Sequence, residues 1–313
     1  MIKKILNHQL DFQKYQRCIS QSVQRNIYSS QKLMHLANGT QWDFLVYGDY
    51  EAVMPVPFVY KMGIKIVTKP WTIQQLGVFS KKDNPQLNAE FREFLLKEYI
   101  VHFYSFNEGN QFLDYNQKFQ NYSIKKNNYE TVKAEFSINR RRNIRIKQNL
   151  DVSFEVINDI DEVKDFFFTY LKLETTHRNK IIYYNILKQC FLNDILKVYQ
   201  LKINNEIASI AMILQSEETN CTTVLINAPK FLKENSSSIL INLILQENIE
   251  TRNLSFSGSN IPAIAEFYER FGAEKKIYNI LGFSKKQVLQ QIVEKKLRLS
   301  FGRKSTIFPN SHK

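Results

Sequence analysis

The sequence predicts an α/β chain built from a repeated unit, and three observations predict it. Helical amphipathic periods alternate with short strand runs along the whole length. The order helix, strand, tight hairpin, strand, strand occurs once in each half. The 313 residues match two domains at roughly 150 residues each. The repeat is one of pattern, with negligible identity between halves. Hydrophobic residues are 43% and charged residues 23%, and 23 Phe and 16 Tyr supply material for two cores, which excludes disordered and collagen-like classes.

In the first half, Phe12, Tyr15, Ile19 and Val23 recur at helical spacing from Asp11 to about Ser22. Trp42 to Tyr47 reads as a strand, and Gly48-Asp49 as a two-residue type II′ turn. Tyr50 to Pro57 returns as its partner, with Pro55 and Pro57 restricting it to an edge or an irregular end. Gly63 to Val67 and Ile73 to Phe79 are further short strands, and Asn88 to Val101 an amphipathic helix.

In the second half, Asp151 to Ile157 alternates as a strand, and Val163 to Leu171 and Ile181 to Leu192 are helices. Leu196 to Ile203 and Glu206 to Gln215 form a hairpin across Asn204-Asn205, a type I′ signal. Cys221 to Asn227 is the next strand, followed by helix Ser236 to Glu247 and strand Leu254 to Ser257. Helix Pro262 to Phe271 closes at Gly272, a suitable C′ residue, and Tyr278 to Phe283 is the last strand. The boundary falls in the polar, basic stretch from Asn127 to Leu150. The expected organisation is a domain over 1–135, a basic segment over 136–150, a second domain over 151–285 and a basic tail over 286–313.

Forty-three Lys and Arg against 30 Asp and Glu give +13, which favours an anionic partner such as tRNA or a phosphorylated cofactor. No run approaches the roughly 18 apolar residues of a membrane span. Asn7, His8, Gln9 and Asp11 interrupt the N-terminal stretch, so no signal peptide is expected, and the three cysteines are too few and odd in number for a disulfide scaffold. The expected location is the cytoplasm.

The sharpest basic cluster is Arg140, Arg141, Arg142, Arg145 and Lys147. On a helix, Arg141 and Arg145 would share a face, where like charges repel unless an anion compensates. Guanidinium groups match phosphate oxygens, so these arginines are anion-binding candidates; the competing reading is a solvated interdomain helix. Lys285 to Lys304 carries seven cations against Glu294, beside an apolar helical stripe of Val288, Leu289, Ile292, Val293 and Leu297. Packing on the domain and contact with an acidic partner both fit that tail. Lys233, Ser236 and Ser238 precede or open an apolar helix, where serine can cap and free amides can hold an anion. Ser257-Gly-Ser-Asn260 lies between a strand and a helix, but lacks the Gly-x-Ser-x-Gly order of a nucleophile elbow. Cys18, Cys190 and Cys221 and the five histidines have no metal-ligand spacing, and neither Gly-x-x-x-x-Gly-Lys nor Gly-x-Gly-x-x-Gly is present.

Longer runs carry a family resemblance. Trp42 to Pro57, Trp71-Thr-Ile-Gln-Gln-Leu-Gly-Val-Phe-Ser80, Asn128-Tyr129 with Ser137-x-Asn-Arg-Arg-Arg-Asn143, and Phe256-x-Gly-Ser-x-Ile-Pro-x-Ile-Ala-x-Phe-Tyr-x-x-Phe-Gly-Ala273 resemble tandem GNAT-fold proteins common in Bacteroidetes. The resemblance covers residues 1 to about 285. Such proteins are similar to the Fem peptidyltransferases.

The resemblance implies two GNAT-like domains, each a mixed, mostly antiparallel sheet flanked by helices, and acyl transfer to an amine acceptor, either a small molecule or a peptide. The implied donor is acetyl-CoA or another acyl-CoA, with no metal. Lys233, Ser236 and Ser238 stand where GNAT enzymes carry their pyrophosphate loop, although serines replace its small glycine or alanine positions. Asn260 matches the donor contact and Tyr268 the general acid that protonates the leaving thiolate. Backbone amides near Ile226 and Asn227 would polarise the thioester carbonyl. Glu51 and Glu206 are bases by hairpin position only. Fem enzymes take an amino acid from aminoacyl-tRNA and carry Phe-Lys-x-x-Phe-Gly, where this chain has Phe267-Tyr268-Glu-Arg-Phe-Gly272. A third reading is a noncatalytic GNAT-fold module that holds an anionic partner through the arginine cluster.

Overall fold

The structure is a computed structural model that describes residues 1–37, 40–113 and 117–304; the end of the basic tail lies outside the described residues. The first sheet is built from β1 (Ile2–Leu6), β2 (Gln41–Tyr47), β3 (Ala52–Lys61), β4 (Ile64–Val67), β5 (Phe79–Ser80) and β6 (Ile100–Val101). Their order is β1-β2-β3-β4-β6, with β5 pairing β3. Helices α1 (Phe12–Gln21), α2 (Gln31–Leu36) and α3 (Pro85–Glu98) cover it. Each starts at a side-chain cap: Asp11, Ser30 and Asn84 accept from first-turn amides, an interaction worth about 1 kcal/mol each.

Four local expectations are revised here. The β2–β3 turn is longer than two residues, because Tyr47 pairs with Ala52 and both Gly48 and Tyr50 take positive φ. Pro55 and Pro57 lie inside β3, paired with Phe44 and Trp42 of β2. Their other side faces a gap: β4 pairs only Phe58–Lys61 and β5 only Ala52–Val53, so no ladder there requires their missing N–H groups. The chain from Thr68 to Val78, expected to hold a strand, leaves the sheet at this gap. Thr72 to Ser80 are all buried; Gln74 carries the contact to the second half at Ser257, and Gln75 holds the Glu108 N–H. Finally, α3 starts three residues before the expected helix, at Pro85 behind its Asn84 cap, and β-branched Ile100 and Val101 form a strand parallel to β4 instead of extending it.

The larger sheet has the order β7-β14-β8-β13-β12-β11-β10-β9. Its strands are β7 (Phe103–Ser105), β8 (Lys118–Ile124), β9 (Val152–Val156), β10 (Leu196–Ile203), β11 (Glu206–Gln215), β12 (Thr219–Asn227), β13 (Asn253–Ser255) and β14 (Glu274–Gly282). The short helices α4 (Tyr129–Ala134) and α5 (Ile138–Asn143) follow β8. Next in the chain come α6 (Lys164–Tyr170), α7 (His177–Leu192), α8 (Ser236–Asn248), α9 (Pro262–Glu269) and α10 (Lys285–Lys304). β7 and β8 precede the basic segment in sequence but pair with β14 and β13 near the other end of the chain. The Asn204-Asn205 turn has φ of 50° and 64°, as a type I′ hairpin requires, and Gly272 follows α9 at φ 70°.

One apolar cluster runs through both halves, from Ile2 to Leu281. Polar contacts reinforce the seam. Gln74 Nε2 donates to the Ser257 carbonyl, Arg25 pairs with Glu218, and Trp71 lies 5.7 Å from Tyr183. No helix among the described residues is long and apolar enough to cross a membrane.

Candidate active site

The central strands of the larger sheet diverge. β12 and β13 are parallel and pair only at Thr219–Asn253, Asn220–Leu254 and Cys221–Ser255. Beyond Cys221, β12 continues to Asn227 with no strand partner on that edge among the described residues, while the chain after β13 turns along β8. Two left-handed residues make the turn, Ser257 at φ 57° and Gly258 at φ 76°. A Cβ on Gly258 would overlap the Gln120 carbonyl oxygen, so this position requires glycine twice over. Asn260 Oδ1 accepts from the Gln120 N–H at 3.1 Å, which ties the turn to β8.

A pocket of about 270 Å³ lies in front of this divergence, between the N-terminus of α8 and the helix α9. Arg140, Asn143, Asn227, Ser236, Ser237, Ser238, Phe267 and Arg270 are among its lining residues. Asn235 precedes α8 in the left-handed conformation and makes no side-chain cap. The amides of Ser236 and Ser237 therefore have no acceptor among the described residues, and they sit at the positive end of a 13-residue helix. The Ser236 and Ser237 hydroxyls donate to Asn227 Oδ1, which holds the loop against β12.

Arg140 enters this pocket from α5 and is only 2% exposed. Its guanidinium packs against two adjoining rings, Phe267 at 4.3 Å and Phe271 at 4.0 Å, which meet edge to face. Nη1 donates to Ser238 Oγ and Nη2 to the Phe267 carbonyl at 2.9 Å, while buried Nε has no acceptor. No carboxylate among the described residues pairs with it, and Glu266, which lines the same pocket, is bound to Arg270 at 2.5 Å. Burial and the neighbouring Arg270 charge pull the Arg140 guanidinium down to about 10. A buried cation without a counter-ion, beside uncapped helix amides, is a preformed anion site.

The structure brings together Arg140, Asn227, Ser236 and Ser238 from the sequence-derived candidates. Lys233 is exposed on the loop and does not line the pocket. Arg141, Arg142 and Arg145 are also exposed. α5 ends at Asn143, so the helical face expected to hold Arg141 and Arg145 together is not formed. Ile226 is buried, and its carbonyl accepts from Ser209 Oγ at 2.9 Å. Glu206 pairs with Lys230, and Glu51 lines a separate cavity beside α1.

Tyr268 is not among the residues that line this pocket. Its ring stacks on Phe256 at 4.3 Å and lies 5.8 Å from Tyr122. Its hydroxyl has no hydrogen-bond partner among the described residues, and burial pushes it up to about 12.

On the other face of the sheet, an interdomain cleft of about 530 Å³ is lined by Tyr28, Gln74, Glu108, Asn121, Ser255 and Lys276 among others. Asn121 and Ser123 of β8 face this cleft, whereas Tyr122 between them packs towards Tyr268 of α9, so alternation places the cleft and α9 on opposite faces. The cleft reaches the divergence, because Tyr28 Oη lies 3.2 Å from Ser257 Oγ and Gln74 binds the Ser257 carbonyl. Sequence reasoning missed these lining residues. Their only signal was the Gln-Gln-Leu-Gly run, whose Gln74 and Gln75 both line the cleft. Among the described residues no group of His, Cys, Asp and Glu is placed to hold a metal ion.

No known family profile and no curated protein matches the chain. Solved structures do. FemX is 11% identical over 93% of this chain and 100% of its own, with a TM-score of 0.62. A tandem GNAT protein from the clavulanic acid biosynthesis pathway is 9% identical over 91% and 100%, with a TM-score of 0.54. A conserved protein of unknown function from Bacteroides thetaiotaomicron is 11% identical over 90% and 100%, with a TM-score of 0.56. Two mixed sheets flanked by helices, with parallel central strands that part in front of a helix N-terminus, thus give this chain the tandem GNAT fold that it shares with FemX and the clavulanic acid pathway protein.

Proposed function

We propose that the chain is an acyltransferase that carries an acyl group from a phosphate-bearing donor to an amine. Arg140 carries this reading: a buried, counter-ion-free guanidinium beside the open amides of Ser236 and Ser237 is suited to phosphate oxygens. Acetyl-CoA or another acyl-CoA is the donor that suits the fold. Its phosphates would lie at Arg140 and α8, and its thioester would reach the parted edge of β12 near Ile226 and Asn227.

The amine would approach through the interdomain cleft, on the opposite face. Its nitrogen would attack the thioester carbonyl as the free amine, the carbon–sulfur bond would break, Tyr268 would protonate the departing thiolate, and the proton lost by the nitrogen would restore the phenol. An unpartnered phenol held neutral by burial suits that role. Asn260 would act by fixing the turn after β13.

A second reading is a Fem-like transfer from aminoacyl-tRNA. The exposed Arg141, Arg142 and Arg145 beside the pocket and the +13 charge favour it, because a tRNA needs neutralised phosphates beyond its 3′ end. The separating experiment is calorimetric titration with acetyl-CoA, CoA and aminoacyl-tRNA, using wild type, Arg140→Met and Lys233→Ala. Micromolar CoA binding lost in Arg140→Met supports the first reading. Binding of aminoacyl-tRNA alone, steeply weakened by salt, supports the second. Anion binding without transfer to any amine would leave a noncatalytic binding module.

A further inference from the structure

Glu108 is the only carboxylate among the described residues lining the interdomain cleft. Its Oε1 accepts from Lys276 Nζ at 2.9 Å and its Oε2 from Asn121 Nδ2 at 2.7 Å. The backbone beneath it is fixed: the Glu108 N–H donates to Gln75 Oε1 at 3.0 Å. Asn107 Nδ2 donates to the Leu76 carbonyl at 2.7 Å, and Asn107 Oδ1 accepts from the Gly109 N–H at 2.9 Å. The carboxylate is thus preset on a stitched loop at the cleft surface, with lone pairs left on both oxygens. Around it the walls are rich in carboxamides, among them Gln24, Asn26 and Asn121. Such groups offer both a donor and an acceptor to a polar ligand. The cleft volume of about 530 Å³ suits a small molecule.

We propose that Glu108 is the ammonium anchor of the cleft, which takes a primary amine carried on a polar, hydrogen-bonding body. The proposal rests on the reading that the cleft receives the acyl acceptor. In the structure the Lys276 ammonium occupies the place that the ligand's ammonium would take. Its side chain is 36% exposed and can leave towards solvent. Ligand and Lys276 therefore compete for one carboxylate, which gives two substitutions opposite effects.

The test is calorimetric titration of the full chain with serinamide and with glucosamine, each against its N-acetyl form, which carries no ammonium, at low salt. The expected result is that at least one amine binds the wild type, and that its N-acetyl form binds at least tenfold more weakly. Glu108→Gln, which keeps the shape and the bond from Asn121, should lose at least tenfold in affinity. Lys276→Met should gain several-fold. A purely structural Glu108–Lys276 pair would make both substitutions weaken binding alike, and that result overturns the proposal. So does equal binding of amines and N-acetyl forms, an unaffected Glu108→Gln, or no binding by either amine. Because the readout needs no donor, amine binding of the expected kind without CoA binding would remove the acyl-CoA reading and leave the anchor. Acyl transfer unchanged in Glu108→Gln would do the reverse.

Discussion

The guanidinium of Arg140 lies 4.0 Å from the centroid of the Phe271 ring and 4.3 Å from that of the adjoining Phe267 ring, with no carboxylate paired to it among the described residues. Cation–π contacts return part of the desolvation cost, typically about 1–2 kcal/mol when water is excluded, and leave the charge itself unmatched.

Arg140→Met keeps the apolar stem and removes the charge. The folded guanidinium is held at about 10, below its ordinary 12.5, so the unfolded chain binds this proton more tightly. The resulting penalty is full below about pH 10 and is relieved only as pH rises from there towards 12.5. At neutral pH the anion-free variant should therefore melt at or above the wild-type temperature. It should also lose the rise in melting temperature that pyrophosphate or CoA gives the wild type. A much less stable variant that still responds to pyrophosphate would contradict the anion site.

Tyr268→Phe should lower turnover about 100-fold while changing donor affinity less than twofold, as expected of a general acid. Single-turnover kinetics with calorimetry separates the two quantities. Because burial holds the phenol at about 12, no loss of turnover from its ionisation is expected below about pH 11.

Tyr183, Tyr199, Tyr268 and Tyr278 are each pushed up to about 12, chiefly by burial. The unfolded chain loses these protons near pH 10, so the stability they contribute is full below pH 10 and falls between pH 10 and 12. Urea midpoints should fall across that window, in step with tyrosinate absorbance appearing on unfolding. Free ionisation of these phenols at pH 10 without unfolding would contradict their burial.

Cys18 is pushed up to about 11, and Cys190 and Cys221 to about 12, all mainly by burial. Native protein at pH 8 should react negligibly with a thiol reagent, and all three cysteines should react in concentrated guanidinium. Fast modification of Cys221 in the native state would contradict its burial.

Gly63 and Gly258 share nearly the same φ, 77° and 76°, but a Cβ at Gly63 meets nothing whereas one at Gly258 overlaps the Gln120 carbonyl. Gly63→Ala should cost about 1 kcal/mol, the strain of the left-handed backbone alone. Gly258→Ala should cost more, because β8 has to move. Thermal melts of the two variants give the comparison directly.

Much of the architecture was legible because its causes are local. The I′ turn at Asn204-Asn205, the glycine closing α9 and the boundaries of β10, β11 and α8 follow from φ preferences and apolar period within a few residues. β8 was not legible. Its polar run, Lys118 to Ile124, shows little alternation, and it is a strand because β13 and β14 arrive on either side of it. Pro55 and Pro57 read as an edge signal, and only the departure of the chain after β4 explains their place within a paired strand.

The site divides in the same way. The sequence by itself determined two α/β units, a basic segment between them and the serine-rich start of an apolar helix, since composition and period depend on neighbours in the chain. It presented Arg140, Arg141, Arg142 and Arg145 as equivalent cations. Only the tertiary structure separated them, by ending α5 at Asn143 and closing Phe267, Phe271 and Ser238 around one guanidinium while leaving the other three in water. Burial is a property of what packs against a residue, and the groups that pack against Arg140 come from α8 and α9, far along the chain.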